Sequence, residues 1–280
     1  MPSDIIIDTI SRFMPTTSQA WEVRGILNHE DRILPFGNDS KIIGRIFEII
    51  IEPILKKAAE ELNYEFGAAE QQTIYPDFWF KNPDNKRLIG IDIKSTYRKI
   101  MSNGTLAPFN FTLGAYSSFL RNGTKNIHGN YADYDAHYVI GFLYSRTVKP
   151  TDTITELASS SNIVCPYSNV EYFIQEKYKI GGQSKGSGNT NNISTFKSNN
   201  IEDFRSGYSY FTSLGKEAFE NYWKSYPLYQ DSKETKESLY HNLETYFQWL
   251  NQNGQIEYAR ELQLRYNDWK SNIGASHSIT

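Results

Sequence analysis

The stretch that decides the fold is Tyr75-Pro76-Asp77-Phe78-Trp79-Phe80-Lys81-Asn82-Pro83-Asp84-Asn85-Lys86-Arg87-Leu88-Ile89-Gly90-Ile91-Asp92-Ile93-Lys94. Two runs rich in aromatic and β-branched residues, Asp77–Phe80 and Leu88–Ile93, flank a Pro/Asp/Asn cluster, which reads as strand, turn, strand. A turn centred on Asp84-Asn85 sets Asp77 opposite Asp92, and cross-strand partners lie roughly 4.5–5.5 Å apart at Cβ. Strand side chains alternate between faces, so Asp92 and Lys94 point to one side while Ile91 and Ile93 point to the other. The charged face is predicted to be a site and the isoleucine face core.

Two carboxylates this close repel unless a proton or a cation sits between them, and Mg²⁺ takes a few carboxylates plus waters in an octahedral shell. A lysine beside them can orient and deprotonate an attacking water and offset negative charge building on phosphorus, while the metal polarises the phosphate. These are the parts of a magnesium-dependent phosphodiester-cleaving site that needs no covalent nucleophile. A motif this short is weak alone, and its bland reading is an Asp/Lys pair that keeps an edge strand soluble.

Upstream, Gly37-Asn38-Asp39-Ser40 reads as a helix start with Asp39 or Ser40 as N-cap. Ile42, Ile46, Ile50 and Ile54 repeat every four residues, joined by Ile43, Phe47, Leu55 and Ala58, and Pro53 is expected to kink or interrupt the helix before it continues to Leu62. Glu48 lies inside this apolar run; taken alone, a lone Glu belongs at the solvent edge. Downstream, the polar run Gly181–Asn192 fits a mobile surface loop and a DNA-reading loop equally. Asparagine can bond adenine at N6 and N7, a threonine methyl can touch the thymine methyl, and glycines let backbone approach base edges.

Read together, Gln71–Phe78, Ile91–Tyr97, Phe111–Asn126, Ile46-Phe47-Glu48 and Gly186–Ile193 resemble, in order, the type II restriction endonucleases of the PD-(D/E)xK nuclease superfamily. The likeness runs from about Gly25 to about Leu250. It implies a homodimer that cuts both strands of a palindromic double-stranded DNA site using Mg²⁺, with Mn²⁺ as a substitute, leaving 5′-phosphate ends. By position, Asp77 and Asp92 would be metal ligands, Lys94 the catalytic lysine, and Glu48 an accessory acid and metal ligand, which reverses its solvent-edge reading. Gln71 and Gln72 match a loop touching the minor groove and backbone. Gly186, Gly188, Asn189, Thr190 and Asn192 match the major-groove reading loop, and Thr96, Ser118 and Lys125 match phosphate-contact or coupling positions. The similarity of that loop implies GATATC, cut at its centre to blunt ends, and a cognate DNA methyltransferase in the same host. Three departures stand out: Asn191 in place of a threonine, Thr73-Ile74 after the glutamines, and the stretch from Lys99 to Asn110.

With 280 residues and no repeat or linker-like segment, the chain is expected to form one restriction-endonuclease-like domain over 1–280. Its architecture is predicted to be α/β (α+β), a central mixed β-sheet flanked by helices with the active hairpin at its edge. Residues from about 252 to 280 would form a helical C-terminal extension of unknown role. Val139–Tyr144 and Val170–Ile174 read as further strands. Leu239, Leu243, Tyr246, Phe247 and Leu250 trace one helix face, and Ile256, Ala259, Leu262, Tyr266 and Trp269 another. The single cysteine, Cys165, excludes an internal disulfide and a cysteine zinc cage. The scattered histidines lack zinc spacing, and no nucleophile motif appears. No secretory or membrane-length apolar span is present, so a cytoplasmic protein with no membrane partner is expected.

A net charge of −3 speaks against DNA binding, but its distribution does not. Between residues 94 and 150 there are seven Lys/Arg residues (94, 98, 99, 121, 125, 146, 149) against acids only at 133 and 135. A local basic surface suffices for phosphate binding, and affinity should then fall steeply with salt. Two other functions remain open from sequence: a structure-specific repair or recombination nuclease, and a catalytically silent DNA-binding protein.

Overall fold

The computed structural model describes residues 3–186, 191–228 and 240–274. The strands in chain order are β1 (Ile26–Leu27), β2 (Arg32–Leu34), β3 (Glu65–Ala68), β4 (Phe78–Lys81), β5 (Leu88–Tyr97), β6 (Thr112–Ala115), β7 (Tyr134–Arg146), β8 (Thr155–Glu156), β9 (Tyr167–Glu176), β10 (Gly181–Lys185) and β11 (Asn192–Thr195). The helices are α1 (Ser3–Phe13), α2 (Ser40–Glu61), α3 (Ile201–Ser206), α4 (Tyr210–Leu214), α5 (Lys216–Lys224), α6 (Leu243–Gln252) and α7 (Ile256–Trp269).

The hairpin forms as its sequence dictates. Asn82 Oδ1 accepts from the amides of Asp84 and Asn85 at 2.9 and 3.3 Å, and Lys86 takes the left-handed φ of 61° that closes the turn. The register that follows pairs Phe78 with Ile91 and Phe80 with Ile89. β5 then runs parallel to β7, with Asp92 beside Val139 and Lys94 beside Gly141.

These strands belong to a five-stranded mixed sheet of order β3-β4-β5-β7-β9. The hairpin is therefore not at the edge, as the sequence suggested. Short β3, whose Gly67 and Ala68 give little strand signal, pairs along β4 and takes the outer position. Two smaller sheets, β1-β2-β8 and β10-β11-β6, complete the architecture, a mixed α+β arrangement of a sheet flanked by helices.

The two faces of the central sheet carry different cores. On one, α1 and α2 pack Ile6, Ile10, Phe47 and Leu55 against Ile91, Ile93 and Phe142. Asp39 caps α2, accepting from the amides of Lys41 and Ile42 at 2.8 and 3.2 Å. The buried stripe of α2 is centred on Ile43, Phe47, Ile51 and Leu55; of the row Ile42, Ile46, Ile50 and Ile54, Ile46 is buried, Ile50 and Ile54 are half-buried at the flank of the stripe, and Ile42 is exposed. Phe47 sets this phase by stacking on Phe142 with centroids 4.4 Å apart and planes 9° from parallel. Pro53 does not interrupt the helix. It sits on the exposed side, where water can satisfy the carbonyl its missing N–H leaves unpaired.

The opposite face is aromatic. Val139, Leu143 and Phe173 of the sheet meet Leu113 and Ile193 of the second sheet and a layer built from α3–α7. Over their described residues both C-terminal helices use the apolar faces read from sequence, except that Ile256 is exposed; Leu239 lies outside the described residues.

Candidate active site

Pro76 has no amide hydrogen to extend the β4 ladder, so the strands part just before Asp77 and its carboxylate replaces a backbone partner: the Ile93 amide donates to Asp77 Oδ2 at 2.7 Å. Lys94 Nζ lies 2.7 Å from Asp92 Oδ2 and 3.8 Å from Asp77 Oδ2, and its ammonium also donates to Ile93 O at 3.1 Å. The hairpin thus brings the predicted triad together: β5 carries Asp92 and Lys94, and the bond from the Ile93 amide holds Asp77, just before β4, beside them.

Burial and mutual repulsion act strongly on this cluster. Desolvation, followed by the charge of Asp92, pushes the Asp77 carboxyl up to about 7. Burial alone would lower Lys94, but Asp92 and Asp77 outweigh it and hold the ammonium above its ordinary pKa. Asp92 Oδ2 is buried and has no hydrogen-bond partner of good geometry; the close Lys94 Nζ compensates its charge without meeting hydrogen-bond angles. An oxygen in that state, beside a second carboxylate poised to lose its proton, fits a hard divalent cation.

The triad opens onto a cleft of about 510 Å³ lined by Asp77 and Lys94 and also by Glu48, Gln71 and Gln72. Structure therefore brings the accessory acid and both glutamines to the same cavity. The Glu48 carboxylate is engaged by Arg45, one turn earlier on α2, while its charge still reaches Lys94. Among the described residues no group of three His, Cys, Asp or Glu side chains is arranged to hold an ion, so the fitting ligands are Asp77 and Asp92.

Other predicted residues divide by exposure. Thr96 continues β5 beside Leu143 and is half-buried, and Lys125 is exposed after the Ser118–Asn122 turn. Ser118 is only 7% exposed and its Oγ accepts from the Phe119 amide at 2.6 Å, which suits coupling and not a surface phosphate contact. Gly186 and Asn192 face each other across the base of the loop, the Gly186 amide donating to Asn192 O at 2.9 Å. Gly188, Asn189 and Thr190 lie outside the described residues. Asn191, the departure in this loop, is bonded inward: its carbonyl accepts from the Tyr116 amide at 2.9 Å, and its Oδ1 lies 3.3 Å from the Tyr116 hydroxyl.

Sequence reasoning missed the groups behind the triad. Lys177 is buried, with Nζ 4.5 Å above the Tyr75 ring and 4.9 Å above that of Phe119. Burial brings it down to about 8, with Asp92 pulling the other way. The Tyr75 hydroxyl and His137 Nδ1 are 2.9 Å apart, and burial drives His137 well below its usual range. Nothing in Glu176-Lys177-Tyr178-Lys179 distinguishes this lysine from a surface one; the topology alone buries it.

A central mixed sheet flanked by helices, with two aspartates and a lysine projecting from one hairpin, defines a nuclease of the restriction-endonuclease fold. The chain belongs to the EcoRV restriction endonuclease family: the model of that family, Restriction endonuclease EcoRV, matches residues 17–251. The type II restriction enzyme EcoRV of Escherichia coli is 37% identical over 237 residues, spanning 83% of this chain and 92% of that enzyme. The protein is accordingly a type II restriction endonuclease, an enzyme that hydrolyses DNA phosphodiester bonds. Among the described residues no helix is long and apolar enough to cross a membrane.

Proposed function

We propose that the chain cuts both strands of GATATC at its centre to give blunt, 5′-phosphorylated ends, as a Mg²⁺-dependent homodimer. Mn²⁺ would serve as a substitute, and a cognate methyltransferase would protect host DNA. The whole chain would act as one nuclease domain, since both cores are built on a single sheet. The observation that carries this reading is the Asp77–Asp92–Lys94 cluster at the mouth of a cleft shared with Gln71 and Gln72.

Asp77 and Asp92 would hold Mg²⁺, which when bound polarises the phosphate and supports the leaving oxygen. Lys94 stays protonated between its two carboxylates, so it serves as a fixed cation that orients water and stabilises charge building on phosphorus. A bond forms from water oxygen to phosphorus as the P–O3′ bond breaks, and the proton given up by water balances the one taken by the 3′ oxygen. Glu48, held by Arg45 at the rim, would add negative charge near the metal without ligating it in this arrangement.

Reading would come from Gly186, Gly188, Asn189, Thr190 and Asn192 in the major groove. Gln71 and Gln72 would lie at the minor groove, and Thr96 and Lys125 at the backbone. The flexible central TA step would add discrimination through the energy of bending. Homodimerisation is supported by exposed Ile26, Leu27, Ile154 and Leu157, which lie in or beside the small β1-β2-β8 sheet and are apolar surface of the kind a two-fold interface buries.

The test is to incubate the protein with a sequenced plasmid in Mg²⁺, with and without EDTA, and to sequence the fragment ends. Metal-dependent blunt ends at GATATC are expected. Discrete ends elsewhere would retain the enzyme and overturn the site, and random nicking would overturn both.

A further inference from the structure

The loop between β10 and β11 can discriminate bases only if its two limbs are held still, because a loosely held reader makes wrong contacts almost as well as right ones. β10 is the outer strand of its sheet, and its register with β11 slips between Gly181 and Lys185. An outer strand of this kind leaves backbone groups without ladder partners.

Here those groups are taken up by side chains of the helical layer. Ser209 Oγ donates to Gly181 O at 2.6 Å, Trp223 Nε1 to Gly182 O at 3.2 Å, and the Tyr222 hydroxyl to Gln183 O at 2.6 Å. The Leu243 amide donates to Gln183 Oε1 at 2.9 Å. The stem is also pressed close: a Cβ at Gly181 would fall 2.4 Å from the Phe219 ring.

The second limb meets the same cluster. Tyr116 holds Asn191 through its amide and lies 5.2 Å, ring centre to ring centre, from Trp223. Tyr116, Tyr222 and Trp223 are all fully buried, and Tyr222 is wedged against Tyr246 at 5.1 Å. Rigid aromatic donors at both ends of a loop fix its span with little side-chain freedom to lose.

We propose that Tyr116, Tyr222 and Trp223 form a bracket that fixes both limbs of the reading loop and so sets how sharply the enzyme distinguishes its site from near-sites. These are positioning residues, not base contacts. The inference rests on the role proposed above for the Gly186–Asn192 loop. Its outer support is α7, which lies beyond the family-matched residues 17–251. Trp269 Nε1 donates to Tyr208 O at 3.1 Å and Arg265 to Leu214 O at 3.3 Å, clamping both ends of α4.

The experiment uses full-length Tyr222→Phe and Tyr116→Phe, which keep the rings and lose only the hydroxyls. Cleavage rates would be measured on duplexes carrying the cognate site and each single-base-pair variant of it, alongside Tm. One hydrogen bond removed from the stem is expected to lower the cognate-to-variant rate ratio by about tenfold for Tyr222→Phe, with cognate turnover within about twofold. Tyr116→Phe should lower it less, its hydroxyl contact being longer. A ratio unchanged in Tyr222→Phe, whether or not Tm falls, would overturn the bracket. A wild-type enzyme with no preferred site would instead overturn the reading on which it rests.

Discussion

The catalytic hairpin and the reading loop are both strand–loop–strand units, yet they are secured in opposite ways. In the hairpin the key bond, Ile93 amide to Asp77, spans 16 residues and follows from turn chemistry and register. In the reading loop the holding bonds reach across 39 residues from Tyr222 to Gln183 and 75 from Tyr116 to Asn191. On the proposed roles, the groups for chemistry are held locally, while the stem of the loop for recognition is held by a distant aromatic layer. With those roles, recognition is predicted to be alterable without disturbing the catalytic groups.

Removing a catalytic group should break the hairpin side most severely. Lys94→Ala or Asp92→Ala is expected to lower cleavage by about 10³-fold while DNA binding, followed by fluorescence anisotropy at low salt, persists. Cleavage at the wild-type rate by either variant would refute their assignment. Next in size is the core beneath the hairpin. Phe47→Ala loses its stack on Phe142 and should cost about 3–5 kcal/mol, seen as a Tm lower by roughly 10 °C. At a temperature where the variant is folded, its discrimination between sites should match wild type; a collapse there would mean that the two regions are not separable.

Asp77→Asn sharpens the contrast through pH. A carboxyl raised to about 7 is protonated in the fold where the unfolded chain is already ionised, so its contribution to stability is full below about pH 4 and is lost as pH rises through 7. The metal-free variant should therefore melt above wild type, by an amount that grows between pH 5 and pH 8, and a constant difference would refute the shift. The smallest effect is expected at Glu48. With its carboxylate engaged by Arg45, Glu48→Gln should slow cleavage by about tenfold or less; a loss as large as that of Asp92→Ala would place it among the metal ligands.

What the sequence revealed follows the same division. Asp39 as N-cap, the Phe78–Ile91 register and the shared face of Asp92 and Lys94 are local consequences of residue type and spacing, and all were legible. Of the isoleucine row read on α2 only Ile42 falls outside the core, because Phe47, whose stacking partner lies on β7, centres the buried face on Ile43, Phe47, Ile51 and Leu55. β3 was invisible in a short, glycine-containing segment. Lys177 and the Tyr222–Trp223 pair carry no signal of their roles, since only the assembled topology brings Lys177 behind the triad and the aromatic pair against the stem.

The amide of Ile93 is an instrument already installed in the protein. Its hydrogen is lent to Asp77 and not to a neighbouring strand, so its resonance should follow whether that carboxylate carries a proton, a charge or a cation. A single backbone signal could then register the arming of the enzyme, with no DNA present and no bond yet cut.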